Sequence, residues 1–194
     1  WALMGGESDV DMTAMALTSL APYQEETDVK AAVDAALTYL SDAQQADGGF
    51  MSWGAANSES CAQVIVALTA LGIDPASDSR FVKNGLTVLD ALASYFVDGG
   101  GFRHTASGEL DGMATEQGYY ALAAYYRLTA SKTSLYDMSD VTITVTPDQP
   151  ATPDQPAKPD APRTGDESPV LVWMGMAALA GAAVLLMQNK KKRA

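Results

Sequence analysis

The sequence predicts an all-α body of alternating helices, then a disordered Pro-rich linker and one C-terminal transmembrane helix, on three observations. A helix pair closed by a glycine corner recurs about every 52 residues, the mark of a repeat architecture. The hexad Thr-Pro-Asp-Gln-Pro-Ala occurs twice in a row from Thr146. Finally, an uncharged apolar run from Pro169 to Met187 is followed at once by a basic cluster.

Two helical patterns alternate in the body. Asp11 to Leu20, Ser58 to Leu71 and Ala114 to Leu128 are rich in small residues, as in Ala16-Leu17-Thr18-Ser19-Leu20 and Ala67-Leu68-Thr69-Ala70-Leu71. Between them lie longer amphipathic segments, Asp28 to Gln45 and Ser79 to Phe96. Each of these ends in a glycine turn, Asp47-Gly48-Gly49-Phe50 and Asp98-Gly99-Gly100-Gly101-Phe102. Small residues let one set of helices pack closely, and the glycines supply the positive φ that reverses the chain. Val141 to Val145 alternates with threonine and reads as a short strand or extended exit segment. The boundaries that follow are a helical body over 1–140, a linker over 141–162 and a terminal segment over 161–194. Prolines at the linker's density fix φ and remove donors, which favours an extended tether of about 3.1 Å per residue.

Composition narrows the function. Residues 1–145 carry 19 Asp or Glu against 6 Lys or Arg, a formal charge of −13. Such a surface repels phosphates, so nucleic acid is not an expected partner. Cys61 is the only cysteine, which excludes an intrachain disulfide.

The terminal segment predicts topology. A helix over 169–187, rising about 1.5 Å per residue, reaches across a hydrocarbon core of roughly 30 Å. Lys190, Lys191, Lys192 and Arg193 resist transfer and hold the tail on the cytoplasmic side, which leaves the body outside the cell. Just ahead lies Ala161-Pro162-Arg163-Thr164-Gly165. Pentapeptide, apolar span and basic tail in this order resemble a sortase sorting signal, with Ala161 where Leu is usual. The resemblance implies cleavage between Thr164 and Gly165, transfer to peptidoglycan, and a cell membrane anchor before processing. Export then requires a leader upstream of Trp1, so the chain is expected to be part of a longer protein.

A second resemblance lies in the body. Tyr39-Leu40-x-x-x-Gln44-x-x-x-Gly48-Gly49-Phe50 is similar to the repeat motif of the prenyltransferase and squalene-cyclase superfamily. More narrowly, Asp9 to Leu128 resembles prenyltransferase-repeat surface proteins of Firmicutes, and distantly the cobalamin carriers such as transcobalamin. The resemblance implies a partial α/α toroid of inner and outer helices, truncated at its N-terminus, with cobalamin as a conceivable ligand and no resident cofactor.

In that picture inner helices begin at the mouth of a cavity, which selects Asp9, Asp11, Glu59, Glu116 and Gln117 as ligand-binding candidates. Carboxylates in a first turn are also ordinary capping residues. Asp9 and Asp11 resemble part of the Asp-x-Asp-Asp-Thr-Ala motif of class II terpene cyclases, whose middle Asp protonates an alkene; Met12 replaces the final Asp. They are the catalytic candidates. Glu59-x-Cys61 partly resembles the zinc site of protein prenyltransferases, but zinc wants three or four convergent ligands and only two are in view, so no metal site is expected. Cys61 reads as structural and His104 as solvated. No nucleophile motif or phosphate-cradling loop accompanies them. Phe50, Trp53, Phe102, Tyr119, Tyr120, Tyr125 and Tyr126 read mainly as packing residues. The expected function is a cell-wall-anchored extracellular protein whose non-catalytic body binds a small-molecule or surface ligand. A terpene-cyclase-like or prenyltransferase-like enzyme, and an adhesin or display scaffold, are the alternatives.

Overall fold

A computed structural model describes residues 1–142, and its first helix, α1 (Val10–Leu20), begins where the sequence supplies a cap. Asp9 is extended, and its carboxylate accepts from the Met12 amide at 3.1 Å, satisfying one of the N–H groups that a helix start leaves without an internal partner. A single turn at Ala21–Tyr23 leads to α2 (Thr27–Ala43). There Val33, Ala36, Leu37 and Leu40 form one buried stripe at helical spacing, while Lys30 and Asp34 pair on the wet side.

The next helix, α3 (Ser58–Ala70), is buried on nearly every face, because α1, α5 (Gly112–Thr129) and α4 (Val88–Ser94) all pack against it. A helix enclosed in this way has to be apolar all round, which explains the run Val64-Ile65-Val66-Ala67-Leu68. Phe50, Phe81 and Phe102 are the largest buried side chains, and two of them close the glycine corners.

The structure overturns the all-α expectation at the connections. Three two-stranded antiparallel ribbons lie between the helices: β1 (Met51–Ser52) with β2 (Ala55–Ala56), β3 (Val82–Lys83) with β4 (Leu86–Thr87), and β5 (Phe102–Arg103) with β6 (Leu110–Asp111). The described residues are therefore a mixed assembly of helices and small sheets, and an architecture of inner and outer helices alone is not what they form. In the first two ribbons both turn residues have positive φ, 52° and 82° at Trp53 and Gly54 and 53° and 81° at Asn84 and Gly85. Turns of this kind match the right-handed twist of paired strands and are the favoured two-residue hairpin connection.

The second ribbon also dismantles the helix expected over Ser79 to Phe96. Its first half is a single 3₁₀ turn at Ser79–Phe81 followed by β3 and β4, and only Val88–Ser94 remains α-helical. Asn84-Gly85 favours the turn, and Thr87 and Asp90 then form a reciprocal capping box that restarts the helix at Val88. The glycine corner before β1 is fixed from the same side: Gly48 has φ +83°, and a Cβ there would sit 2.4 Å from the Thr87 carbonyl oxygen.

After α5 the chain folds back on itself. Arg127 Nε donates to the Thr133 carbonyl at 2.7 Å, its Nη2 donates to Thr133 Oγ1 at 2.9 Å, and the guanidinium also pairs with Asp140. Val141 and Thr142 form no strand, and the rest of the expected exit strand lies outside the described residues. So do the remainder of the linker, the pentapeptide Ala161 to Gly165 and the apolar run 169–187. Among the described residues no helix is long and apolar enough to cross a membrane.

Candidate functional site

The first and third ribbons deliver the chain to the starts of α3 and α5, and these two starts together with that of α1 border one cleft of about 530 Å³. From α1 come Asp11 and Met15, from α3 Glu59 and Gln63 with the cap Asn57, and from α5 Met113 and Gln117. The β1–β2 ribbon adds Ser52, Trp53 and Ala55, and the chain after β5 adds His104.

A backbone contact explains how His104 arrives. The Ser58 amide donates to the His104 carbonyl at 3.0 Å, and the Ser58 hydroxyl donates to the Arg103 carbonyl at 2.9 Å. The end of β5 is thereby fastened to the first turn of α3. His104 Nδ1 then lies 2.9 Å from both Glu59 carboxylate oxygens, although 45 residues separate the two in sequence. A carboxylate on Nδ1 orients the ring, while Nε2 has no partner among the described residues. His104 was expected to be merely solvated; it is half exposed, but it is held.

The two catalytic candidates separate. Asp9 is committed to structure, since one oxygen caps α1 and the other accepts from the Ser52 hydroxyl. Asp11 faces the cleft, and burial holds its carboxyl above the usual range. The nearby Ser60 hydroxyl opposes that effect, the charge of Asp9 adds to it, Ser52 opposes it and Glu59 adds again. Asp11 Oδ1 and Ser60 Oγ are nevertheless both buried with no hydrogen-bond partner among the described residues, so Ser60 lies near Asp11 without bonding geometry. Asp11, which lines the cleft, thus keeps one carboxylate oxygen that no described residue satisfies, while Ser60 is buried behind it and does not line the cleft.

Gln63 Nε2 donates to Gln117 Oε1 at 3.1 Å and also to the Tyr120 hydroxyl, joining α3 to α5 along one wall. Glu116, the neighbour of Gln117, is exposed and does not line the cleft. Cys61 lies elsewhere too. It is fully buried, and burial pushes its thiol up to about 12, which suppresses the thiolate a metal would need. Cys61 does not line the cleft that Glu59 borders, and among the described residues no group of three or more His, Cys, Asp or Glu could hold a metal ion.

Sequence reasoning missed Ser52, Gln63 and the role of Trp53, which is 78% exposed and not a packing residue. The signal for Trp53 was its glycine partner: Trp53-Gly54 holds the two-residue hairpin turn that the neighbouring strands require. Comparison of the chain with protein-family models, curated proteins and solved structures gives no match. The site must be read from its own chemistry.

Proposed function

We propose that the body binds a ligand outside the cell and that sortase links the chain to peptidoglycan. The observation that supports binding is the cleft. Three helix starts and a hairpin converge on a volume suited to a small molecule or a side chain, with Asp11 unsatisfied at its edge. Wall display rests on the order of pentapeptide, apolar run and basic tail in the sequence. Fractionation of cells making the complete protein tests it. The protein is expected in the material released by muramidase, and Thr164→Ala is expected to move it to the membrane fraction. Recovery of the intact protein from the cytosol would sink the proposal.

One observation favours a second reading, an enzyme using acid catalysis. Asp11 is a carboxyl held toward its protonated form at the edge of a cleft, a property matched to proton donation. With a polyprenyl diphosphate as substrate, this reading expects products that disappear in Asp11→Asn. Equal product from that variant removes it.

A further inference from the structure

We propose that this cleft takes an organic cation, a primary ammonium on a short apolar stem, with the ammonium at Asp11 and Glu59 and the stem against Trp53 and Met113. The inference rests on the cleft being the binding site and names the chemistry that it selects.

Charge is the first argument. Asp11 and Glu59 line the cleft and Asp9 stands behind them, whereas the lining contains neither Lys nor Arg, and its single basic group is His104. An anionic ligand would meet repulsion, and a neutral one would leave the Asp9, Asp11 and Glu59 charges opposed to one another. Hydrogen bonding is the second. Asp11 Oδ1 accepts from no described donor, although the Ser60 and Ser52 hydroxyls stand close enough to favour its ionised form. An ammonium supplies three donors and no acceptor, which is what a carboxylate of this kind lacks. A bare metal ion fits less well, because the described residues place no three hard ligands together.

Trp53 supplies the third and independent argument. It stands 78% exposed at the first position of a turn with φ 52°, where the sister turn in β3–β4 uses Asn84 at φ 53°. Asn suits that backbone and Trp does not, so neither the turn nor burial accounts for the indole. An indole that lines the same cleft as two carboxylates is suited to a cation. Met15 and Met113, both at least half exposed, line the same cleft and offer soft apolar surface to a stem.

Calorimetry on the full chain in a non-ionic detergent tests the idea, with n-butylammonium as probe and n-butanol as the uncharged control. The ammonium is expected to bind at least about tenfold more tightly than the alcohol, and Glu59→Gln and Asp11→Asn are each expected to weaken it by about tenfold. Trp53→Ala removes an exposed side chain, so folding should survive, and it is expected to weaken binding about threefold or more. Indole fluorescence of the unsubstituted chain should change on saturation. Binding should fall on acidification, since Asp11 gains its proton before an ordinary carboxylate would, with Asp9, Glu59 and His104 the other titrating groups facing it. Nα-acetyl-lysine amide distinguishes the source: tighter binding than n-butylammonium indicates a peptide-borne amine, weaker binding a free one. Equal affinity for n-butanol, no heat with either ammonium, or unchanged affinity in both carboxylate variants overturns the proposal. Those outcomes leave the fractionation result untouched, so loss of the ligand class and loss of wall display are separable.

Discussion

Trp53 and Asn84 occupy equivalent positions in two ribbons of one molecule, which makes a controlled comparison of what a residue does for its backbone and what it does for a ligand. Replacing Trp53 by Asn should raise stability by about 1 kcal/mol, seen as a higher urea midpoint with an unchanged slope, because strain of this kind costs about that much. The same change should weaken ammonium binding. Asp11 gives a second residue-scale expectation. Its carboxyl is held above its ordinary value in the folded state, so the fold binds that proton more tightly than the unfolded chain does. Its contribution is therefore harmless below the unfolded value and becomes a cost as pH rises through the folded one. Asp11→Asn should raise the Tm at neutral pH, and the gain should vanish at a pH below the ordinary carboxylate range. A pH-independent change would mean that packing, not charge, dominates at this position. Asp11 and Glu59 could be picked out from sequence because carboxylates at helix starts are conspicuous. Glu59 with His104 could not, since only the docking of β5 on α3 brings them together.

At the scale of elements, capping and close approach decide where helices begin and how near they lie. Thr87→Ala removes half of the capping box and should cost about 1 kcal/mol, with faster amide exchange confined to Val88–Ser94 if α4 unfolds locally. Gly118 lets α5 pass over Phe102: a Cβ there would lie 2.4 Å from the ring. Gly118→Ala should destabilise by about 1–3 kcal/mol in chemical denaturation, as overpacking does. The helices themselves were largely readable, since α1, α2, α3 and α5 fall close to the stretches that small-residue and amphipathic patterns mark. The ribbons were not. Each strand is two residues long, too short for any alternation to register, and only the turn residues carry the signal. At Asn84-Gly85 that signal was present, but the apolar spacing of Val82, Leu86, Leu89 and Leu92 reads equally well as one long helix.

For the whole molecule, electrostatic self-repulsion is the term that composition makes visible. A formal charge of −13 over residues 1–145 should make stability rise with salt at neutral pH, as the Debye length contracts from about 30 Å at 0.01 M to about 10 Å at 0.1 M. A Tm that stays flat over that range would indicate that the carboxylates are locally compensated. The shared cleft was only partly readable at this scale: repeat spacing aligned three helix starts in sequence, but nothing in that spacing showed that the β1–β2 hairpin would add Trp53 to the same lining.

The fold-back after α5 has a mechanical meaning. Because one guanidinium grips both Thr133 and Asp140, a tug arriving from beyond residue 140 meets that fork before it reaches the segment between them. The body would then resist detachment as a unit, and Asp140→Ala should let the same stretch of chain peel away at lower force.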